Sequence, residues 1–417
     1  MQFSRFGERM SADTGTLELM RDLGEALDAE VPPIMMGGGN PASIPAVMDV
    51  FRARLGALAQ NPEEFERICG VYDGPGGDSR FATATAKLLG DTFGWPISDR
   101  NVTITNGSQN AFFYLFNLFG GTYADGSFKR IYLPLAPEYI GYADLGIEPH
   151  MIVAGRPRIE LLPDGLFKYR LNLDDLQVPD DIGAICVSRP TNPTGNVLTD
   201  DELRALSAIA RERDIPFIID NAYGTPFPDI IYGDANPILD DHTIIIMSLS
   251  KLGIPGLRTG IVVGPESVTD GLKAMNAVVA LAPSSIGPAL ALDMMESGEI
   301  VNLGREHIRP FYSKRANAAV AWLRDGVAGY PCRIHKPEGA FFLWLWCEGL
   351  PISSADLYRR LKAHGVIVVP GHYFFPGVEE GWPHRHECLR INYAQALPQL
   401  QRGLGTIAQE VKRAYDE

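Results

Sequence analysis

Through the middle of the chain, short runs of branched and aromatic residues are each followed by a polar turn and then, in most cases, by a helical pattern. "NVTIT" (Asn101 to Thr105) runs into "NGSQNAFFYLFNLFGG", where a turn opens an apolar helix. "RIYLPL", "GAICVS", "IPFIID" and "HTIIIMS" follow in order, and "TGIVVG" (Thr259 to Gly264) is a sixth candidate strand. These runs are rich in Ile and Val and alternate little, so each predicts a strand covered on both faces. Between the third and the fourth, Thr199 and Glu202 have the spacing of a capping box, which starts a helix over "DELRALSAIARER". Strand and helix in alternation predict a mainly parallel sheet, and such sheets hold ligands at the carboxyl ends of their strands.

The polar clusters sit where that rule puts them. "TNGSQ", "APEY", "RPTNPTG", "DNAY" and "SLSK" each follow a strand. Any one of them is ordinary turn chemistry; five on one edge predict a single site. From about residue 310 the pattern changes, with helical segments flanking "AFFLWLW", "VIVVP" and "LRINYA". The expected organisation is therefore α/β. An N-terminal arm (1–48) packs with the small domain, a large domain (49–309) carries the parallel sheet, and a smaller α/β domain (310–417) closes the chain.

Composition narrows the classes. A chain of 417 residues is long for one core, and 46% hydrophobic with 21% charged residues fits a globular enzyme. A net charge of −14 and no basic stripe argue against nucleic acid. The opening "MQFSRFGERMSADTG" lacks a signal-peptide core. The most membrane-like stretch, Ala274 to Met295, carries Asn276, Pro283, Ser284, Ser285 and Pro288, which break a spanning helix and favour a buried connection or subunit interface. Five scattered cysteines, none paired as C-x-x-C, fit a reducing cytoplasm. "HRHEC" (His384 to Cys388) is an incomplete ligand set, so no metal is expected.

The chemistry concentrates in "MSLSKLGIPGLRTG", Met247 to Gly260. A lysine at a strand end is either a snorkelling surface residue or an amine held for covalent work. Ser248, Ser250 and Arg258 beside Lys251 favour the second, since two hydroxyls and a guanidinium bind phosphate. A phosphorylated aldehyde that forms an imine needs that pairing. Gly107, Ser108 and Gln109 open a helix straight after a strand and offer backbone N–H groups to the same phosphate. Asp220, ending an apolar strand, is either a capping Asp or a carboxylate that keeps a ring nitrogen protonated. Tyr223 and Asn192 are placed to reach a phenolate oxygen, and Tyr139 to stack on a planar ring.

The ordered set of "SLSK" with a following arginine, "NPTG", "D-x-A-Y" and a late "R-I-N-Y" resembles the fold-type I aminotransferases that use pyridoxal phosphate. A closer likeness runs over nearly the whole chain, through "MMGGGNPASIP", "YDGPGG", "PLAPEYIGYADLG", "IDNAYGTPFP", "HKPEGAFFLWLW" and "VPGHYFFPG". It is to members that exchange an amino group between valine and pyruvate. The resemblance implies that Lys251 joins the cofactor as an imine and shuttles the proton, and that Asp220 pairs with the pyridine nitrogen. Tyr223 and Asn192 contact the ring oxygen, Tyr139 stacks on the ring, and Ser108, Ser248, Ser250 and Arg258 hold the phosphate. Arg390, Gly39 and Asn192 face the substrate, with Arg390 gripping its carboxylate. Tyr72 reaches a phosphate in a neighbouring subunit, which implies a homodimer. A carbon–sulfur lyase would share every cofactor residue. A DNA-binding regulator on this fold adds a basic helix-turn-helix segment, for which a short N-terminal arm and a charge of −14 leave no place.

Overall fold

The structure is a computed structural model that describes residues 1–28 and 32–417. All six expected strands of the middle region form, and their buried positions run continuously instead of alternating. They make one sheet, in the spatial order Val102–Thr105, Gly260–Val263, Thr243–Ser248, Phe217–Asp220, Ile182–Ser188, Phe128–Leu133. Two short strands, Gly121–Thr122 and Ile152–Ala154, pair with the last of these. Thr243–Ser248, Phe217–Asp220, Ile182–Ser188 and Phe128–Leu133 are mutually parallel. Gly260–Val263 runs antiparallel to both its neighbours, because only the short Leu249–Thr259 connection separates it from the strand before. No crossover helix fits in so few residues.

Helices cover the sheet. Ser108–Phe119 buries Ala111, Phe112, Leu115 and Phe116 against Ile218, Ile244, Ile246 and Val262. Asp200–Glu212 begins at the expected capping box: Thr199 accepts from the Glu202 N–H, and the Glu202 carboxylate accepts from the Thr199 N–H at 2.7 Å. The stretch Ala274 to Met295 is interrupted. One helix ends at Ala280, Leu281 takes a left-handed φ of 63°, and Ile286–Ser297 starts a second, buried helix. Among the described residues no helix is long and apolar enough to cross a membrane.

A second sheet has the order Val369–Pro370, Cys388–Asn392, Phe342–Cys347, Cys332–His335, Leu166–Arg170, Arg158–Leu161. Its last two strands come from inside 49–309, so pairing crosses the expected boundary at residue 310. Leu166–Arg170 lies parallel to Cys332–His335, a long-range pairing that local pattern does not encode. "VIVVP" is not one strand: Val366–Ile367 pairs in parallel with Ile34–Met35, whereas Val369–Pro370 joins the second sheet. The N-terminal arm is further tied to the C-terminal part by side chains, Tyr358 and Lys362 donating to Asp22 and Tyr373 to Glu18.

Candidate active site

All five polar loops meet in one cavity of about 260 Å³ at the carboxyl ends of the parallel strands. "TNGSQ" supplies Ser108 and Gln109, "APEY" Tyr139, "RPTNPTG" Asn192, "DNAY" Asp220 and Tyr223, and "SLSK" Ser250 and Lys251. Arg258, Gly39 and Arg390 complete the wall, the last from the second sheet. A roomier cleft of about 420 Å³ lies behind the Asn192 loop. Its cations are matched by carboxylates, Lys168 and Lys336 with Glu338 and Arg189 with Asp200. It carries no amine free for chemistry.

Asp220 closes its strand with both carboxylate oxygens engaged. Tyr142 donates to Oδ2 at 2.8 Å, and the Ala222 N–H to Oδ1 at 3.0 Å. Burial raises its pKa above the ordinary range, while the Tyr142 hydroxyl, the Ala222 amide and the charge of Lys251 pull it back. Lys251 Nζ donates to the Gly39 carbonyl at 3.1 Å and stands 5.4 Å from the Tyr223 ring centroid and 5.7 Å from that of Phe341. Among the described residues no carboxylate touches it. Burial brings its pKa down to about 8, with Arg390 and Arg258 adding to the effect. About a tenth is therefore neutral at pH 7, far more than for an ordinary lysine, and this is the state in which an amine attacks an aldehyde or takes a proton.

Arg390 is 1% exposed yet has no carboxylate partner among the described residues. It donates through Nη1 to Asn192 Oδ1 at 2.8 Å and through Nη2 to the Gly37 carbonyl. The guanidinium lies 4.4 Å from the Phe342 centroid and 5.0 Å from that of Phe374. Its Nε has no acceptor. A cation held this way is ready for an incoming anion.

At the opposite wall, the helix Ser108–Phe119 starts after Gly107, whose φ of 87° suits glycine. A Cβ there would come within 2.2 Å of Arg258 Nη2. Arg258 itself has a left-handed φ of 49°, an unfavourable state for a non-glycine residue that brings its guanidinium against the helix start. The Ser108 and Gln109 amides of the first helical turn have no intrahelical acceptor, whereas the Asn110 N–H donates to the Gly107 carbonyl at 3.1 Å. A cation, free amides and a hydroxyl from Ser250 or Ser108 are together a cradle for phosphate.

Residues 169–406 match the family model for aminotransferase class I and II. Over 417 residues, all of both chains, the sequence is 47% identical to the valine–pyruvate aminotransferase of Escherichia coli K12. The chain belongs to the class I and II aminotransferases. Two solved structures agree with this. A putative amino-acid aminotransferase from Psychrobacter arcticum matches at 47% identity with a TM-score of 0.97, covering 100% of both chains. A valine–pyruvate aminotransferase from Salmonella typhimurium matches at 46% identity with a TM-score of 0.88, covering 96% of this chain and 100% of the other. The architecture is that of the fold-type I aminotransferases, as the sequence resemblance implied.

For an aminotransferase of this family, which uses pyridoxal phosphate, the donor set fits the cofactor. One half-buried carboxylate, one amine of lowered basicity and one phosphate cradle line the same cavity. One expected contact is placed differently. Ser248 is 1% exposed and spends its hydroxyl locally, accepting from the Ser250 N–H at 3.1 Å and donating to the Thr259 carbonyl at 3.3 Å. It caps the Leu249–Leu252 turn and does not line the cavity. Tyr72, expected to serve a neighbouring subunit, is 79% exposed and lies outside the cavity of its own chain. Sequence reasoning missed Tyr142, the donor to Asp220, although it stands in the quoted "PEYIGY". It also missed Thr16, Leu19 and Met20, which the N-terminal helix brings to the cavity wall. Phe341 and Phe342 flank Lys251 and Arg390 and were visible only as an apolar strand.

Proposed function

We propose that this aminotransferase uses pyridoxal phosphate to move an amino group between valine and pyruvate, giving 2-oxoisovalerate and alanine, and that it works as a cytoplasmic homodimer. The observation that carries the proposal is the meeting of Lys251, Asp220 and Arg390 in one cavity of a chain 47% identical, end to end, to a valine–pyruvate aminotransferase. When bound, the cofactor supplies an aldehyde to take the amino group and a protonated ring to withdraw the electrons left when the α-proton departs. Asp220 would hold the ring nitrogen in its protonated state, fixed in place by Tyr142. Ser108, Gln109, Ser250 and Arg258 would hold the phosphate, Asn192 and Tyr223 the ring oxygen, and Tyr139 one ring face.

Lys251 moves the proton. As a neutral amine its Nζ accepts the α-proton and, as an ammonium, gives it back at the neighbouring carbon. The Gly39 carbonyl and the aromatic faces of Tyr223 and Phe341 orient the amine without neutralising it. Arg390 fixes the substrate carboxylate by a two-point contact, while Leu19, Met20 and Ile140 offer apolar surface to a branched side chain and keep water out. Exposed Val71, Tyr72, Val278, Val279 and Leu281 support a second copy of the chain as their cover. Five free cysteines fit a reducing compartment. The test is direct: purified protein with pyridoxal phosphate, valine and pyruvate should form alanine and 2-oxoisovalerate in equal amounts, and valine should rank among the best amino donors to pyruvate by kcat/KM. A weak valine rate beside a strong one for another donor would overturn the substrate assignment.

A further inference from the structure

Glu138 is a buried carboxyl that the mechanism above does not use. It is 1% exposed, and its backbone N–H is tied to the Phe374 carbonyl at 2.9 Å. Both carboxyl oxygens face one residue: Oε1 accepts the Ser188 N–H at 2.9 Å, and Oε2 lies against Ser188 Oγ. Ser188 is the cross-strand partner of Asp220 in the parallel register, and its side chain lines the cavity. The groups around Glu138 are Asp220 and Cys186 on the adjoining strands, and Tyr139 and Tyr142 on its own turn. None is a cation.

The proton count between Oε2 and Ser188 Oγ then decides what the serine offers. If the carboxyl is ionised, the serine O–H must point back at it, and only lone pairs face the cavity. If the carboxyl is neutral, its own O–H donates to Ser188 Oγ, and the serine hydrogen is released toward the cavity. We propose that Glu138 is a positioning residue that acts as a neutral carboxylic acid and so fixes Ser188 as a hydrogen-bond donor into the cavity, toward an acceptor of the ring system held beside Asp220. Burial supports the neutral form and outweighs the hydrogen bonds from the Ser188 hydroxyl and amide and the Tyr139 amide, which favour the ionised one; with the Asp220 charge it pushes the Glu138 carboxyl up to about 8. The inference rests on the proposed cofactor site for its consequence, but its first test does not depend on that site.

Glutamine supplies an acceptor for the Ser188 N–H and a donor for Ser188 Oγ, so Glu138→Gln mimics the neutral acid at every pH. The infrared spectrum of the purified full-length protein at neutral pH should contain a protonated-carboxylic-acid C=O band that the Glu138→Gln spectrum lacks. Asp220 is present in both proteins and cancels in the difference. In the loaded enzyme, kcat/KM of the wild type should drop about tenfold as pH rises past about 8, levelling at the Ser188→Ala value. Glu138→Gln should not show this drop. Persistence of the acid band in Glu138→Gln, or superimposable pH profiles of variant and wild type, would overturn the proposal. If Glu138→Gln fails to fold, Ser188→Ala decides: with no hydroxyl to turn it should lack the alkaline drop, and a drop like that of the wild type refutes the idea. A protein inactive with every amino donor would instead refute the proposed function while leaving the infrared result to stand by itself.

Discussion

Replacing Arg390 by lysine keeps the charge and removes the fork, so it measures what the two-point contact contributes. Arg390 is 1% exposed, its guanidinium lies between Phe342 and Phe374 at 4.4 and 5.0 Å, and among the described residues it donates to Asn192 and the Gly37 carbonyl. Burial lowers its pKa from the ordinary guanidinium range to about 10, so it remains charged at neutral pH. A depression of that size corresponds to ~3 kcal/mol held against the ionised form, which an arriving carboxylate offsets. Lysine loses at least one charge-assisted hydrogen bond to that carboxylate, ~1.5–3 kcal/mol. The expected loss in kcat/KM for valine is therefore about 10- to 150-fold. The inhibition constant of 3-methylbutanoate, a valine lacking its amino group, should weaken by a similar factor because it tests the same contact without chemistry. Steady-state kinetics across a valine series, with the inhibitor titrated in parallel, gives both numbers. If Arg390→Lys left both unchanged, Arg390 would not be the carboxylate site.

Three further outcomes are expected. Tyr142→Phe removes one of the two hydrogen-bond donors to Asp220 and leaves the Ala222 N–H; its pKa should rise further, because a bond to the ionised form is lost, and kcat/KM should fall about tenfold or more, measured over a pH series. Gly107→Ala would place a Cβ 2.2 Å from Arg258 Nη2 at a φ of 87°, so the dissociation constant for pyridoxal phosphate, read from an absorbance titration, should rise about tenfold or more. An unchanged constant would remove Gly107 and Arg258 from the cradle. The third concerns pH: Lys251 is held near 8, below its unfolded value of 10.5, so only the neutral fraction below that point limits its reaction. Uptake of pyridoxal phosphate by cofactor-free protein should quicken roughly tenfold per pH unit up to about 8 and then level off; continued acceleration toward 10.5 would mean an unperturbed lysine.

The large sheet was legible because its strands are continuous Ile and Val runs, and the site because polar residues stand at the end of each one. Lys251, Asp220, Asn192, Tyr223 and Arg258 follow from that rule without any contact being known. The second sheet was legible only in part. Leu166–Arg170 pairs with Cys332–His335, far later in the chain, Arg158–Leu161 joins only through its hairpin with Leu166–Arg170, and nothing local marks either for that sheet. Ser248 was assigned to phosphate because it neighbours Lys251 in sequence, yet the tight turn at Leu249 consumes its hydroxyl. Tyr142 and Glu138 were passed over for a related reason. Their importance lies in which buried carboxyl or hydroxyl they touch across the sheet, and only the register of Ser188 against Asp220 reveals it.

The account stands on Lys251 as the amine that takes up the cofactor's aldehyde and moves the proton. Wild type and Lys251→Ala, each incubated with pyridoxal phosphate and freed of excess, are compared by visible absorbance and by alanine formed from valine and pyruvate. The wild type should be yellow and active. The variant should lack the imine absorbance and form no alanine above background, while melting at the wild-type temperature of the cofactor-free protein. A variant that kept both the absorbance and the turnover would contradict the account.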